Sequence, residues 1–251
     1  MIKEYINEEA WSKIYNILKE SGCVYVNNEK KTKLFMEAVF WIMRTGAQWR
    51  ELPRCYGKWN SVFNRFNEWS KKNIWLTLNT ACIEDPDLEW TMIDSTIVKA
   101  HPCATGYYKN GSQEQGIGRS KGGLTSKAHF MVDALGNALK FIVGPGNESD
   151  INKAKSLIQD IRNAAIMGDK GYDSDDLRST IKNQNCEPVI PGRSNRIVPI
   201  EYDKELYKAR HLIENFFAKI KNFRRIFSRF DKSLRNYASF LAFAGAILWL
   251  R

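Results

Sequence analysis

The chain has 251 residues, of which 43% are hydrophobic and 26% charged; this globular composition excludes collagenous, low-complexity and wholly disordered proteins. Thirty-eight Lys and Arg against 28 Asp and Glu give a formal charge of +10, a surplus that suits a polyanionic partner, nucleic acid first. Five scattered cysteines with no C-x-x-C pair, and histidines only at His101, His129 and His211, argue against a disulfide framework, a zinc ribbon or a His-based metal site. Glu8 and Glu9 stand where a signal peptide would be apolar, and the longest apolar run, Ala238 to Leu250, has 13 residues, short of the roughly 20 that cross a bilayer. The run reads as a buried terminal helix in a cytoplasmic protein with no membrane partner.

In chain order, Trp11, Ile14, Tyr15 and Leu18 repeat at helical spacing after Asn7, a natural N-cap. Thr32 is placed to cap a second helix with Leu34, Phe35, Ala38, Val39 and Ile42 on one face, ending near Thr45-Gly46. A turn-rich connection with Pro53 and Gly57 leads to a third helix from about Asn60 that buries Val62, Phe63, Phe66 and Trp69. Its other face shows Ser61, Asn64, Arg65 and Asn67. A helix–turn–helix module has this layout, with Asn64 and Arg65 available to a DNA major groove; a solvated helix face explains the same spacing. The acidic stretch Ile83–Glu89 with Pro86 marks a boundary between a helical DNA-binding domain, residues 1–85, and a second domain, residues 86–251.

Beyond the boundary the pattern becomes α/β. Trp90–Val98 is rich in β-branched and apolar residues, as a buried strand is. After a loop of Gly, Ser and Lys (Gly106–Gly123), Thr125–Ala134 and Ala138–Val143 form a hairpin turned by Gly136-Asn137. A helix capped by Asp150, a strand at Ala164–Gly168, a helix from about Ser174 and a strand at Cys186–Ile190 follow, then a long helix from about Asp203 to Arg225. Three strands, helix, strand, helix, strand, helix is the order of an RNase H-like mixed sheet.

Asp94 lies inside the first apolar strand, Asp169 at the end of the fourth between glycines, and Glu214 in the long helix beside Ile213, Phe216 and Phe217. A carboxylate in an apolar setting is costly unless it is paired, protonated or bound to a cation, and the natural occupant of three converging acids is a hard cation such as Mg²⁺. Asp133 competes for the same role but precedes a turn, and Glu148 and Asp150 precede a helix, where capping explains them. Tyr207, Glu214 and Lys221 are seven residues apart and drift only about 20° per step along one helix face, with Arg210 one turn before Glu214. From Asp203 onward, 11 Lys and Arg face four acids; a cation-binding Glu flanked by phosphate-gripping cations gives each residue of the stripe a role, and a solvated salt-bridge face is the alternative.

The pattern Y-x2-R-x3-E-x6-K, here Tyr207, Arg210, Glu214 and Lys221, resembles the signature of DDE transposases of the bacterial insertion sequence four and five superfamily. The resemblance extends to RTGAQWRELP (Arg44–Pro53), GKWNSVFNRFNEW, IDSTIVKAH (Ile93–His101), GRSKGGLTSKAHFMVDALGN, GDKGYDS (Gly168–Ser174) and FRRIFSRFDK (Phe223–Lys232). These blocks cover the chain from about residue 32 onward, and in their order they resemble the insertion-sequence-five family. The resemblance implies that Asp94, Asp169 and Glu214 bind two Mg²⁺ ions, with Mn²⁺ as a substitute, and that Arg210 and Lys221 contact DNA with support from Tyr207. Arg224, Arg225 and Arg229, in the basic segment that follows, are expected to neutralise backbone phosphates. The implied reaction is cleavage at the ends of an insertion sequence and transfer of the freed strands into target DNA, with double-stranded DNA as partner, a homodimer assembled on it, and a nucleoid-associated location in a bacterial cytoplasm. A decayed transposase acting as a DNA-binding repressor through residues 1–85 is the alternative.

Overall fold

The computed structural model describes residues 4–106 and 115–250. It divides into two compact units, one of Met1–Glu84, Ala100–Asn110 and Ile220–Arg251, the other of Asp85–Lys99 and Gly111–Lys219.

The first unit is helical. Helix α1 (Glu8–Glu20) starts at Asn7, whose side chain accepts from the Ala10 amide. Helix α2 (Glu29–Thr45) is capped by Asn28, not by Thr32: the Asn28 carboxamide takes the Lys31 amide at 2.9 Å, and Thr32, one turn inside, bonds its hydroxyl back to the Asn28 carbonyl. The helix ends as the sequence indicates, with Gly46 in the left-handed region at φ 69°. Helix α3 (Trp59–Lys71) is followed by α4 (Ile74–Ala81), a helix not expected from the sequence. The terminal apolar run lies in α5 (Leu234–Trp249), which is buried from Asn236 to Ile247 except at a single position. Aromatic rings hold these helices together: Phe66 stacks on Phe240 at 4.5 Å, and Trp75 meets Phe243 at 5.1 Å. The segment entering α1 is pinned by buried Glu37, which accepts the Tyr5 and Ile6 amides. Burial pushes its carboxyl above the ordinary range.

The second unit is a mixed sheet. Strand β1 (Trp90–Ala100) pairs antiparallel with β3 (Gly123–Val132) and parallel with β5 (Ala165–Met167), and β5 pairs parallel with β6 (Glu187–Val189). Strands β2 (Gly118–Ser120) and β4 (Ala138–Pro145) both join the outer side of β3. A hairpin, a central first strand and two parallel strands beyond it make the RNase H-like arrangement. Of the expected loop Gly106–Gly123, residues 107–114 lie outside the described residues, and β2 occupies part of the remainder. The hairpin turn is organised by Asp133, whose buried carboxylate accepts the Leu135 and Asn137 amides, with Gly136 at φ 82°. That assigns Asp133 to the turn.

Two helices, α6 (Asp150–Ile158) and α7 (Asp175–Asn183), share an apolar core with the sheet through Ile93, Leu157, Ile158, Ile166, Leu177 and Ile181. Phe130 of β3 meets Phe216 at 5.0 Å, so a different helix serves the face that Phe130 occupies. That helix belongs to the segment expected as one rod from Asp203 to Arg225. The structure divides it into α8 (Lys204–Tyr207), a 3-10 turn at Lys208–Arg210, α9 (His211–Lys221) and α10 (Arg224–Phe227). Phe223 adopts extended backbone, φ −80° and ψ 106°, and ends the continuity.

Candidate active site

Strand register brings the first two acids together. Met92 pairs with Met167 across the parallel β1–β5 ladder, and Asp94 and Asp169 each lie two residues further on. Asp94 is also opposite Phe130 in the antiparallel ladder, and directly opposed residues share a sheet face. Asp94 therefore faces the side of the sheet where Phe130 packs on α9, while its neighbour Ser95 faces α6.

Asp94 accepts the Ser95 amide at 2.7 Å. Burial pushes its carboxyl up to about 6, and the charges of Asp169 and Asp150 add to the rise while Arg210 opposes it. Asp169 caps the 3-10 turn Lys170–Tyr172 by accepting the Gly171 amide at 2.7 Å. A Cβ on Gly171 would lie 2.8 Å from that same carboxylate oxygen, so a side chain there would displace the Asp169 carboxylate.

Glu214 departs from the sequence expectation. It lies in the first turn of α9 with its side chain 53% exposed, on the helix face away from buried Ile213, Phe216 and Phe217. Its carboxylate is paired with Arg210, whose guanidinium also stands 3.7 Å from Asp94. Arg210 thus spans Asp94 and Glu214, and among the described residues no three His, Cys, Asp or Glu side chains form a ready-made metal cage. The donor set still suits a hard divalent cation: all three candidate ligands are carboxylates, and the half-buried carboxyl of Asp94 faces like charge that a cation would neutralise. Tyr207, partly buried, sets its ring against Tyr202 at 5.5 Å, and burial pushes its hydroxyl up.

Asp150 is the acid that capping arguments misplaced. Ser149 occupies the N-cap position of α6, and Asp150, in the first turn, accepts the Ser95 hydroxyl at 2.7 Å and pairs with Lys127 at 3.2 Å. Beside it, His129 is fully buried and held down to about 4, by burial first. Nothing in the spacing of β3 and α6 signals this cluster, because it depends on how the helix docks.

The segment after Asp169 is fixed by Asp173. Its carboxylate accepts from Arg178, from Arg196 at 2.6 Å and from the Arg193 amide at 2.8 Å. Burial alone would raise Asp173, but these bonds outweigh it and hold the group at about 2.

The candidate DNA contacts divide. Asn64 and Arg224 are exposed. Arg65 instead turns onto its own unit, its guanidinium 4.3 Å from the Phe35 ring centroid and 5.1 Å from that of Trp69. Arg225 and Arg229 are corrections to the phosphate-contact expectation. Both are buried, Arg225 on Asp231 at 2.9 Å and on the Ala47 carbonyl, Arg229 on the carbonyls of Asp231 and Lys232. Extended backbone at Phe223 and Ser228 turns these side chains into the helical unit. Lys221 closes α9.

Residues 86–249 match the family described as a transposase DDE domain, and residues 6–79 match one described as a transposase of the IS4/5 family. The chain belongs to the DDE transposases, a class of DNA-cleaving and strand-transferring enzymes, and within that class to the insertion sequence four and five group. A Brucella ovis protein named as a transposase for insertion sequence element IS6501 is 39% identical over 133 residues, 51% of this chain and 100% of that protein. A Burkholderia cepacia protein named as a transposase for IS402 is 30% identical, over 46% of this chain and 58% of that protein. The solved piggyBac transposase synaptic complex with hairpin DNA aligns at TM-score 0.43 and 14% identity, over 79% of this chain and 51% of that one. The chain thus spans about half the length of that structure's chain. Among the described residues no helix is long and apolar enough to cross a membrane.

Proposed function

We propose that this chain binds the terminal inverted repeats of an insertion sequence, cleaves DNA at its ends and transfers the freed strands to target DNA. The observation that carries the reading is the convergence of Asp94 and Asp169 across the parallel β1–β5 ladder, with Arg210 spanning Asp94 and Glu214. Asp94, Asp169 and Glu214 would hold a pair of Mg²⁺ ions, with Mn²⁺ able to replace them. Bound there, the ions supply electrostatic stabilisation of the attacking and leaving oxygens of an in-line phosphoryl transfer.

The chain's own residues account for the rest. The Ser95 amide orients the Asp94 carboxylate, and the Gly171 amide orients that of Asp169. Arg210 keeps Glu214 near Asp94 and presents a planar cation to a DNA phosphate. Tyr207 ends the short helix just before the turn that carries Arg210, and Lys221 and Arg224 add cationic contacts to the backbone of bound DNA. Residues 1–85 would serve end recognition and residues 86–251 catalysis, on a homodimer that pairs two DNA ends in the cytoplasm, at the nucleoid.

The test is incubation of the purified chain with a supercoiled plasmid carrying paired element ends, in Mg²⁺ or EDTA, beside Asp94→Asn. Metal-dependent cuts at the ends that vanish in the variant support the reading. End binding with no cleavage in Mg²⁺, or with Mn²⁺ in its place, overturns it in favour of a DNA-binding repressor.

A further inference from the structure

On the side of the sheet opposite Asp94, a polar cluster interrupts an apolar face. Ser95 and His129 are directly opposed in the β1–β3 ladder, and Lys127 lies two residues from His129 on the same face. His129 is fully buried and Lys127 is 9% exposed. All three meet Asp150 in the first turn of α6. The Ser95 hydroxyl donates to its carboxylate at 2.7 Å, the Lys127 ammonium stands at 3.2 Å and His129 Nδ1 at 3.4 Å.

Stability does not ask for this arrangement. A buried ion pair gains little over apolar side chains of the same volume, and two residues along the same face the opposed pair is Ile93 and Met131, in the apolar core that α6 covers. Capping does not account for Asp150 either, since Ser149 holds the N-cap position while Asp150 bonds to β1 and β3.

The neighbour of the cluster distinguishes the place. The parallel pairing of β1 with β5 runs from Trp90 to Met92. Three residues beyond it, the Ser95 amide donates to the Asp94 carboxylate at 2.7 Å while the Ser95 hydroxyl is held by Asp150. Ser95 therefore joins two acids on opposite faces of one sheet. The charge of Asp150 also reaches Asp94 and raises its carboxyl, and a field that disfavours a lone carboxylate favours a cation beside it.

We infer that Asp150 is a positioning residue for the metal-binding carboxylate Asp94: through the Ser95 hydroxyl it fixes β1, and so the amide that orients Asp94, beyond the end of the parallel ladder. The inference rests on the proposal that Asp94 holds a divalent cation. Lys127 and His129 have the supporting part of keeping Asp150 turned toward the sheet.

The test is Mn²⁺ binding to the full chain without DNA, read by electron paramagnetic resonance, beside the Mg²⁺ concentration that half-saturates cleavage of a plasmid carrying element ends. Ser95→Ala retains the amide bond to Asp94 and the Lys127–Asp150 pair, so it removes the tie alone. It should weaken Mn²⁺ binding roughly tenfold, the scale for a group that orients a metal's ligand, and raise the half-saturating Mg²⁺ in step. Ser95→Thr keeps a hydroxyl and should restore both. Asp150→Ala should weaken Mn²⁺ at least as much as Ser95→Ala, and adding Ser95→Ala to it should cost nothing further, because both remove one tie. If Asp150→Ala, which strands Lys127, loses its thermal transition, Ser95→Ala and its Ser95→Thr rescue carry the test. A lowered melting temperature with Mn²⁺ affinity and half-saturating Mg²⁺ equal to wild type is what a purely structural tie predicts, and that result in Ser95→Ala overturns the inference. Mn²⁺ binding lost in Asp94→Asn and unchanged in Ser95→Ala overturns this inference alone, whereas a wild-type chain that binds no Mn²⁺ overturns the metal reading of Asp94 and this inference with it.

Discussion

Asp94, half-buried, and Asp173, buried, are carboxylates of one unit, separated in state by the partners each is given. Asp173 is enclosed by Arg178, Arg196 and the Arg193 amide and is held at about 2. Asp94 receives one amide bond and a guanidinium at 3.7 Å, faces like charge from Asp169 and Asp150, and is pushed up to about 6. A carboxylate whose lone pairs are all used fixes chain geometry. One left short of positive charge retains the capacity to take a cation or a phosphate-bound metal, which is why perturbed groups gather at functional sites.

The largest effect that would sharpen this contrast is on activity. Asp94→Asn should reduce metal-dependent cleavage of a plasmid carrying element ends by at least about a hundredfold. Asp173→Asn should act on stability instead, lowering unfolding free energy by on the order of 3 kcal/mol in urea melts, because it leaves buried Arg178 without its counter-charge. A fully active, fully stable Asp173→Asn would break the comparison.

The two acids also predict opposite pH responses. Asp173 titrates lower in the folded chain than unfolded, so its contribution is complete above about pH 4 and disappears as pH falls toward 2. Asp94 titrates higher when folded, so its contribution is complete below about pH 4 and is lost as pH rises through 6. In EDTA, Asp94→Asn should therefore remove a decline in stability between pH 4 and 6, on the order of 2 kcal/mol, in thermal melts across that range. An unchanged pH profile would contradict the burial of Asp94.

The same test separates adjacent arginines in the helical unit. Arg225→Ala strands buried Asp231 and should cost about 3 kcal/mol. Exposed Arg224→Ala should leave stability within about 0.5 kcal/mol and reduce the slope of log affinity for duplex DNA against log salt by about one. Equal stability losses for the two would refute the division between packing and DNA contact.

Much of the scaffold was legible because local physics decides it. Asn7 as a cap, Gly46 as a terminator, the Gly136 turn and the apolar pattern of Trp90–Val98 each depend on a few neighbouring residues. Asp94 and Asp169 stood out because an acid at such a place in a strand is costly unless it has a use. Thr32 failed as a cap because Asn28, one turn earlier, offers a side chain that competes better for the free amides. The expected rod after Asp203 failed because helical periodicity is blind to the extended backbone at Phe223.

The sequence by itself determined most of the order of helices and strands, the ordered motif blocks and the surplus of positive charge. Only the tertiary structure decided which charges are spent internally. Arg225 and Arg229 look the same as Arg224 in a run of basic residues, and burial alone assigns them to the interior. Likewise Asp150 meets Ser95 across 55 positions of chain, and Arg210 joins Asp94 to Glu214 across more than a hundred. A charge's role depends on its desolvation and its partners, and both are set by distant residues that only docking of helix on sheet brings within reach.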